Sequence, residues 1–161
     1  MHRDIKSDNV LISASGEAKL ADFGCSKRIG TTAAVGGGNG AGYQTLVGSP
    51  FFMAPEVMSG SDEGYSYPAD IWSVGCLVLE LLGREPWSIP PTSNVFQIMF
   101  HISKSNSMPS GIPKKCPKML YNFFERVFDR DPAKRASAEE LLKHEWFHCP
   151  DNQLEEVPLD D

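Results

Sequence analysis

The chain has 161 residues, a length typical of a single domain. Its 41% hydrophobic and 22% charged residues exclude a disordered or fibrous protein. The net charge of −6, from 15 basic and 21 acidic residues, argues against binding nucleic acid through a basic face.

The composition also predicts a soluble, cytoplasmic protein with no membrane span. The apolar segment from Ile71 to Leu82 has twelve residues and is interrupted by Ser73 and Glu80, whereas a spanning helix needs roughly 17 to 25. The first ten residues are charged where a signal peptide would be apolar. The four cysteines are widely separated and have no CxxC spacing, so we expect reduced thiols.

The first third of the chain combines two short strands with a long loop. The strands are predicted at Val10 to Ser13 and Lys19 to Asp22, around a turn that contains Gly16. The region from Cys25 to about Phe52 has little periodicity, and Gly36 to Gly42 holds five glycines in seven residues. A loop of this length within a compact domain is usually functional.

The remainder of the chain is predicted to be mostly helical. The segment from Asp70 to Leu82 is apolar on every face, which is typical of a helix at the centre of a domain. Further helices are expected at Asn94 to Ile102 and, with one apolar stripe, at Met119 to Phe128. A capping box at Ser137 begins a last helix that should end near His144. The tail from 150 to 161 carries five acidic residues and should be frayed.

Three short motifs follow one another: His2-Arg3-Asp4 with Asn9 five positions after Asp4, then Asp22-Phe23-Gly24, then Ala54-Pro55-Glu56. Phosphoryl transfer needs an oxygen anion to orient the incoming hydroxyl, and oxygen ligands to hold Mg²⁺ on the phosphates. A catalytic loop followed by a hairpin would bring Asp4, Asn9 and Asp22 to one edge. Each tripeptide alone is a weak signal, but together, in this order and spacing, they predict a phosphoryl-transfer site.

On these motifs the chain resembles the C-terminal lobe of a eukaryotic Ser/Thr protein kinase, and more narrowly the MAP kinase kinase kinase (MEKK-like) group. The stretches 19–27, 48–56, 69–76, 130–135 and 141–147 are also similar to that group. The resemblance implies a partial kinase domain over residues 1–148 and an acidic tail over 149–161. The implied fold is mainly α (α+β): a kinase large lobe with a short β-hairpin at the catalytic edge and without the small lobe.

The resemblance implies catalytic and cofactor-binding roles for five residues. Asp4 would be the catalytic base, and Lys6 would contact the transferred phosphate. Asn9 and Asp22 would hold Mg²⁺, and Leu11 would form the floor of the adenine pocket for ATP.

It implies structural and regulatory roles for a second set of residues. Asp70 would hold the backbone of the catalytic loop, and Glu56 would form a buried ion pair with Arg135. Ser49 would hydrogen-bond the Asp4–Lys6 pair. Thr45 is the first candidate for an activation-loop phosphate, followed by Thr31, Thr32 and Tyr43. Arg3 would bind that phosphate, and His2, Phe23 and Gly24 complete the structural set.

The resemblance therefore implies a Ser/Thr kinase that uses ATP and Mg²⁺ on a protein substrate, a MAP kinase kinase, under an upstream activating kinase. The chain lacks a glycine-rich phosphate loop and its strand lysine, so we expect it to be inactive by itself. The alternative is a non-catalytic large-lobe module that docks kinases or substrates. A rival pattern, His144-Glu145 followed by His148, fits a zinc-protease helix but lacks a third ligand downstream, and we interpret it as a chance match.

Overall fold

The computed structural model describes residues 1–26, 50–59 and 66–150, and the backbone of 156–158. Helices predominate in these ranges, which confirms the prediction of a mainly α fold. The helices are α1 (Pro55–Met58), α2 (Tyr67–Leu81), α3 (Val95–Lys104), α4 (Lys118–Val127) and α5 (Ala138–Leu142), with 3₁₀ turns at Ser7–Asn9, Phe23–Cys25, Pro50–Phe52 and Glu145–His148. The strands are β1 (Val10–Ile12), β2 (Ala18–Leu20), β3 (Lys115–Pro117) and β4 (Glu156–Pro158).

The predicted hairpin is present. Strands β1 and β2 pair antiparallel with Leu11 opposite Lys19. Gly16 has a φ of +82° in the connecting turn, a backbone conformation that glycine adopts without steric cost. Beyond the strands, the N–H of Ala21 donates to the carbonyl of Asn9 at 2.8 Å. This pairing brings the residues after β2 beside Asn9, at the end of the loop of residues 2–9.

Helix α2 forms the centre of the core, as its apolar composition predicts. Trp72, Cys76 and Leu79 are completely buried. The helix begins at Tyr67, earlier than the expected Asp70, and carries Pro68 in its first turn. Not every face is covered, however, because Leu81 remains 74% exposed at the end of the helix.

Gly83 ends α2 in a Schellman motif. Its φ is +71°. The N–H of Gly83 donates to the carbonyl of Glu80, and the N–H of Arg84 donates to that of Leu79, both at 2.9 Å. The two carbonyls are therefore satisfied without a further helical turn.

Capping boxes define the starts of α3 and α5. Asn94 and Gln97 exchange side-chain to backbone hydrogen bonds of 2.8 and 3.0 Å at the start of α3. The predicted box of Ser137 with Glu140 is confirmed at α5. Helix α5 ends at Leu142 rather than near His144, because the His144 side chain accepts from the N–H of Trp146 and caps the following 3₁₀ turn.

Part of the tail that was expected to be frayed forms a strand, while residues 151–155 and 159–161 lie outside the described residues. Strand β4 pairs antiparallel with β3, and Val157 lies opposite Cys116. The edge of β3 offers backbone donors and acceptors that an extended segment can satisfy. Among the described residues, no helix is long and apolar enough to cross a membrane.

Candidate active site

The loop formed by residues 2–9 is held by the central helix. Asp70, in the first turn of α2, accepts from the N–H of His2 at 2.6 Å and from the N–H of Arg3 at 2.8 Å. Arg3 has a φ of +72°, in the left-handed region that is costly for a residue with a side chain. The carboxylate of Asp70 stabilises this backbone conformation immediately before Asp4.

His2 connects the loop to the Asp22-Phe23-Gly24 motif. Its buried ring contacts the ring of Phe23 edge-to-face at 4.8 Å, and its Nε2 lies 2.9 Å from the carbonyl oxygen of Ala21. Its Nδ1 accepts from the N–H of Asp4 at 3.3 Å, so Nε2 is the protonated nitrogen that donates to Ala21. The Nε of Arg3 donates to the carbonyl of Cys25 at 2.5 Å.

Asp4, Lys6 and Asn9 meet on one side of the loop. The amide nitrogen of Asn9 donates to the carbonyl of Asp4 at 2.7 Å and to Oδ2 of its carboxylate at 2.9 Å. The Nζ of Lys6 lies 3.5 Å from that same Oδ2. Oδ1 of Asp4 accepts no hydrogen bond from the described residues, so it is available to an incoming hydroxyl group.

Asn9 and Asp22 present oxygen atoms that suit a shared Mg²⁺. Asn9 uses its amide nitrogen toward Asp4, which leaves the amide oxygen as a potential ligand. Asp22 accepts from the N–H of Gly24 at 3.2 Å through Oδ1, which leaves Oδ2. The described residues contain no group of three or more His, Cys, Asp or Glu that could hold a metal ion alone. One carboxylate and one amide fit an ion that takes its remaining ligands from phosphates and water.

Gly24 packs tightly against the carboxylate of Asp22. A Cβ atom at this position would lie 3.1 Å from Oδ1 of Asp22. That oxygen already accepts the N–H of Gly24, so a side chain would disturb the turn that orients the carboxylate. Asp22 itself has a φ of +58°, in the left-handed region that is costly for a residue with a side chain.

Four apolar side chains of the hairpin and the following 3₁₀ turn face solvent beside the site. Leu11, the predicted adenine-contacting residue, is 59% exposed, and Ile12, Leu20 and Phe23 are also exposed. Leu11 lies opposite Lys19, on the other face of the hairpin from Ile12 and Leu20, and its exposed side chain alone could contact the flat face of a nucleobase. The assignment of Leu11 to adenine remains a prediction.

Glu56 and Arg135 form an ion pair in the core. The guanidinium donates from Nη1 to Oε1 of Glu56 at 2.7 Å and from Nη2 to Oε2 at 3.0 Å. It also donates to the carbonyls of Pro68 and Asp129 at 2.8 and 2.9 Å. The ion pair implied by the resemblance thus joins α1 to the segment that precedes α5.

Glu80 is a site residue that the sequence analysis treated only as an interruption of an apolar segment. Its Oε2 accepts from the N–H of Ser7 at 3.3 Å, and its side chain lines a groove with Phe51 and Phe52. It is the one carboxylate in the apolar segment from Ile71 to Leu82, and this is the signal that could have identified it. The predicted activation-loop residues Thr45 and Ser49 lie outside the described residues.

The histidines of the rival zinc pattern have other partners. Nε2 of His144 lies 3.1 Å from Oδ1 of Asn122, and Nε2 of His148 lies 3.0 Å from the carbonyl oxygen of Leu142. His148 lies in a 3₁₀ turn that begins after α5 has ended. The two rings therefore do not share the face of one helix, as a zinc-protease motif requires.

Comparison with known proteins finds sequence matches in a large family. The model of the protein kinase domain matches residues 1–147. The chain is 37% identical over 158 residues to mitogen-activated protein kinase kinase kinase A of Dictyostelium discoideum, covering 96% of this chain and 15% of that protein. It is 40% identical over 145 residues to mitogen-activated protein kinase kinase kinase 2 of Arabidopsis thaliana, covering 89% and 21%.

A relative with a different name is similar to the same extent. Serine/threonine-protein kinase 4 homolog A of Dictyostelium discoideum is 39% identical over 165 residues, covering all of this chain and 33% of that protein. The chain therefore spans at most a third of the length of these three relatives.

Proposed function

The chain belongs to the protein kinase family, and from that premise we propose that the protein containing it transfers phosphate from ATP to Ser or Thr of a MAP kinase kinase in the cytoplasm. The observation that carries this proposal is that Asp4 is hydrogen-bonded to Asn9 and ion-paired with Lys6, next to the segment that carries Asp22. The family generally uses ATP and Mg²⁺. The names of the relatives support a role in a MAP kinase cascade.

Asp4 would orient the substrate hydroxyl and accept its proton. Its Oδ2 is occupied by Asn9 and lies near Lys6, so Oδ1 would receive the hydroxyl hydrogen. The side chain of Asp4 is only 12% exposed, which limits competition from water for that oxygen. The ammonium of Lys6 would stabilise the negative charge on the phosphate oxygens during transfer.

Asn9 and Asp22 would hold Mg²⁺, which neutralises charge on the phosphates of bound ATP. The hydrogen bond between Ala21 and Asn9 fixes the separation of the two segments that carry these ligands. Positioning contributes most of the catalysis in phosphoryl transfer, so these contacts matter as much as the identities of the ligands.

Substituting Asp4→Asn in the full-length protein tests the proposed base. We expect kcat for a MAP kinase kinase to fall by roughly 10² to 10⁴, because general base catalysis is lost while the shape of the side chain is kept. Asp8→Asn is the matched control, since Asp8 is an exposed carboxylate in the same loop. Equal turnover by wild type and Asp4→Asn would contradict the assignment.

Asp22→Asn tests the proposed metal ligand separately. The variant should need a higher Mg²⁺ concentration for half-maximal activity, as measured by titrating Mg²⁺ at fixed ATP. If the wild-type protein binds MAP kinase kinases but transfers no phosphate, the alternative of a non-catalytic docking module is correct.

We further propose that an upstream kinase activates the protein by phosphorylating Thr45. Arg3 supports this proposal. It is a cation next to Asp4, and its guanidinium contacts Cys25 at the start of the loop. A phosphate can order a loop through charge-assisted hydrogen bonds with arginine. Thr45→Ala should lower activity severely, whereas Thr31→Ala should have a smaller effect. Full activity of Thr45→Ala, with no phosphate at Thr45 by mass spectrometry, would contradict this proposal.

A further inference from the structure

Strand β3 is held in place from the side of the core. Cys116, its middle residue, is only 3% exposed and belongs to the hydrophobic core. Helix α4 begins directly after the strand, at Lys118, and buries Leu120 and Phe123 in the same core. The strand therefore presents the backbone N–H and C=O groups of its outer edge as a template for another extended segment.

Strand β4 occupies this edge through few hydrogen bonds. The register places Pro158 opposite Lys115, Val157 opposite Cys116 and Glu156 opposite Pro117. Proline has no backbone N–H, so only the pair of Cys116 with Val157 can exchange two N–H···O bonds. An isolated two-stranded sheet is marginally stable. A competing strand can therefore displace β4.

The residues around β3 are basic, whereas those around β4 are acidic. Residues 112–118 contain three exposed lysines, Lys114, Lys115 and Lys118, and no acidic residue. Residues 150–161 contain five acidic residues and no lysine or arginine. Strand β3 together with these three lysines is called the β3 edge below. Its charge favours an acidic segment over a neutral or basic one.

We propose that the β3 edge binds an extended acidic segment of a partner protein, and that β4 is an intramolecular competitor for the same edge. Backbone hydrogen bonds supply affinity in this kind of strand addition, and the lysines supply the preference for acidic segments. Because β4 is tethered to the site it covers, it competes at a high effective concentration. This binding is separate from phosphoryl transfer and does not depend on the proposed function.

A fluorescent peptide with the sequence of residues 152–161 is the probe, titrated with the full-length protein and followed by fluorescence anisotropy. Val157→Pro removes the N–H that Val157 can donate to Cys116. We expect this variant to bind the peptide roughly tenfold or more tightly than the wild type does, because the edge is no longer occupied most of the time. Val157→Ala is the matched control, since it keeps the N–H, and its affinity should stay close to that of the wild type.

The charge preference is tested in the Val157→Pro background. Adding Lys115→Glu should weaken peptide binding severalfold and reduce its sensitivity to salt. Lys104→Glu changes an exposed cation at the end of α3 and should have no effect. A peptide with lysine in place of its four acidic residues should not bind. Hydrogen exchange locates the site, because the bound acidic peptide should slow exchange of the Cys116 N–H.

A second variant keeps the test independent of how well Val157→Pro folds. Glu156→Lys retains every backbone donor and reverses one charge of β4, so it should also bind the peptide more tightly than the wild type does. If neither variant binds the peptide more tightly than the wild type, the proposal is wrong. Equal affinity for the acidic and the lysine-substituted peptide, or binding that leaves exchange of the Cys116 N–H unchanged, would also overturn it.

Discussion

The ion pair of Glu56 with Arg135 should contribute far more to stability than its geometry alone suggests. The guanidinium of Arg135 is completely buried and the carboxylate of Glu56 is 13% exposed, with a closest contact of 2.7 Å. In Glu56→Gln the amide can still accept one hydrogen bond, but the arginine charge stays in the core without its counterion. We expect the free energy of unfolding to fall by about 3 to 5 kcal/mol, the cost of an uncompensated buried charge.

The chain contains a matched exposed pair that isolates the effect of burial. Lys143 and Glu139 make a contact of 2.8 Å, but their side chains are 73% and 81% exposed. Glu139→Gln should therefore cost no more than about 0.5 kcal/mol. Both substitutions replace a glutamate by glutamine in an ion pair of nearly the same contact distance. A difference between their losses of unfolding free energy is therefore due to the burial of the Glu56–Arg135 pair.

Equilibrium unfolding in urea, followed by tryptophan fluorescence, measures both values. Trp72 is a suitable probe because the guanidinium of Arg135 lies 5.1 Å from its ring. The urea concentration at the midpoint of unfolding should fall strongly for Glu56→Gln, while the slope of the unfolding free energy against urea concentration stays constant. Equal losses for Glu56→Gln and Glu139→Gln would refute the argument that burial determines the strength of the pair.

Two further predictions concern packing and pH. Gly75→Ala should destabilise the protein by about 1 kcal/mol or more, as measured by urea unfolding, because a Cβ atom there would lie 2.7 Å from both Val127 and Phe128. The cost of this overpacking exceeds the gain of up to about 1 kcal/mol in helix propensity. A variant more stable than the wild type would contradict this prediction. Burial, and to a smaller extent the charge of Arg126, lower the pKa of His144 below its usual value near 6.5. The folded state therefore favours the neutral ring, and the stability that comes from this preference is lost as the pH falls below about 6.5. Unfolding free energies measured between pH 7.5 and 5.5 should therefore decrease more for the wild type than for His144→Gln, and equal decreases would contradict this assignment.

Features encoded by neighbouring residues could be predicted from the sequence. The turn at Gly16 and the capping box of Ser137 with Glu140 depend on residues a few positions apart, and both are present. The apolar composition around Trp72 likewise predicted a central helix, because burial on several sides requires apolar residues on several faces.

Features that depend on distant partners were not visible in the residue pattern. The three-residue strands β3 and β4 have no periodicity to detect, and their pairing joins segments about 40 residues apart. Glu80 appeared only as a charge in an apolar segment, since its partner Ser7 lies 73 positions away. The contact of Asp70 with the catalytic loop was anticipated from the family resemblance, because the residues alone give no reason to connect positions 68 apart.

The hydrogen bonds of Asp70 to the loop of residues 2–9 would couple the proposed catalysis to the integrity of the core. The carboxylate that fixes the N–H groups of His2 and Arg3 belongs to the same helix as the buried Trp72. Any loosening of that helix would release the left-handed peptide before Asp4 and misalign the reacting groups, even if every catalytic side chain were retained. Under the proposed function, core variants far from the catalytic loop should therefore behave as activity variants.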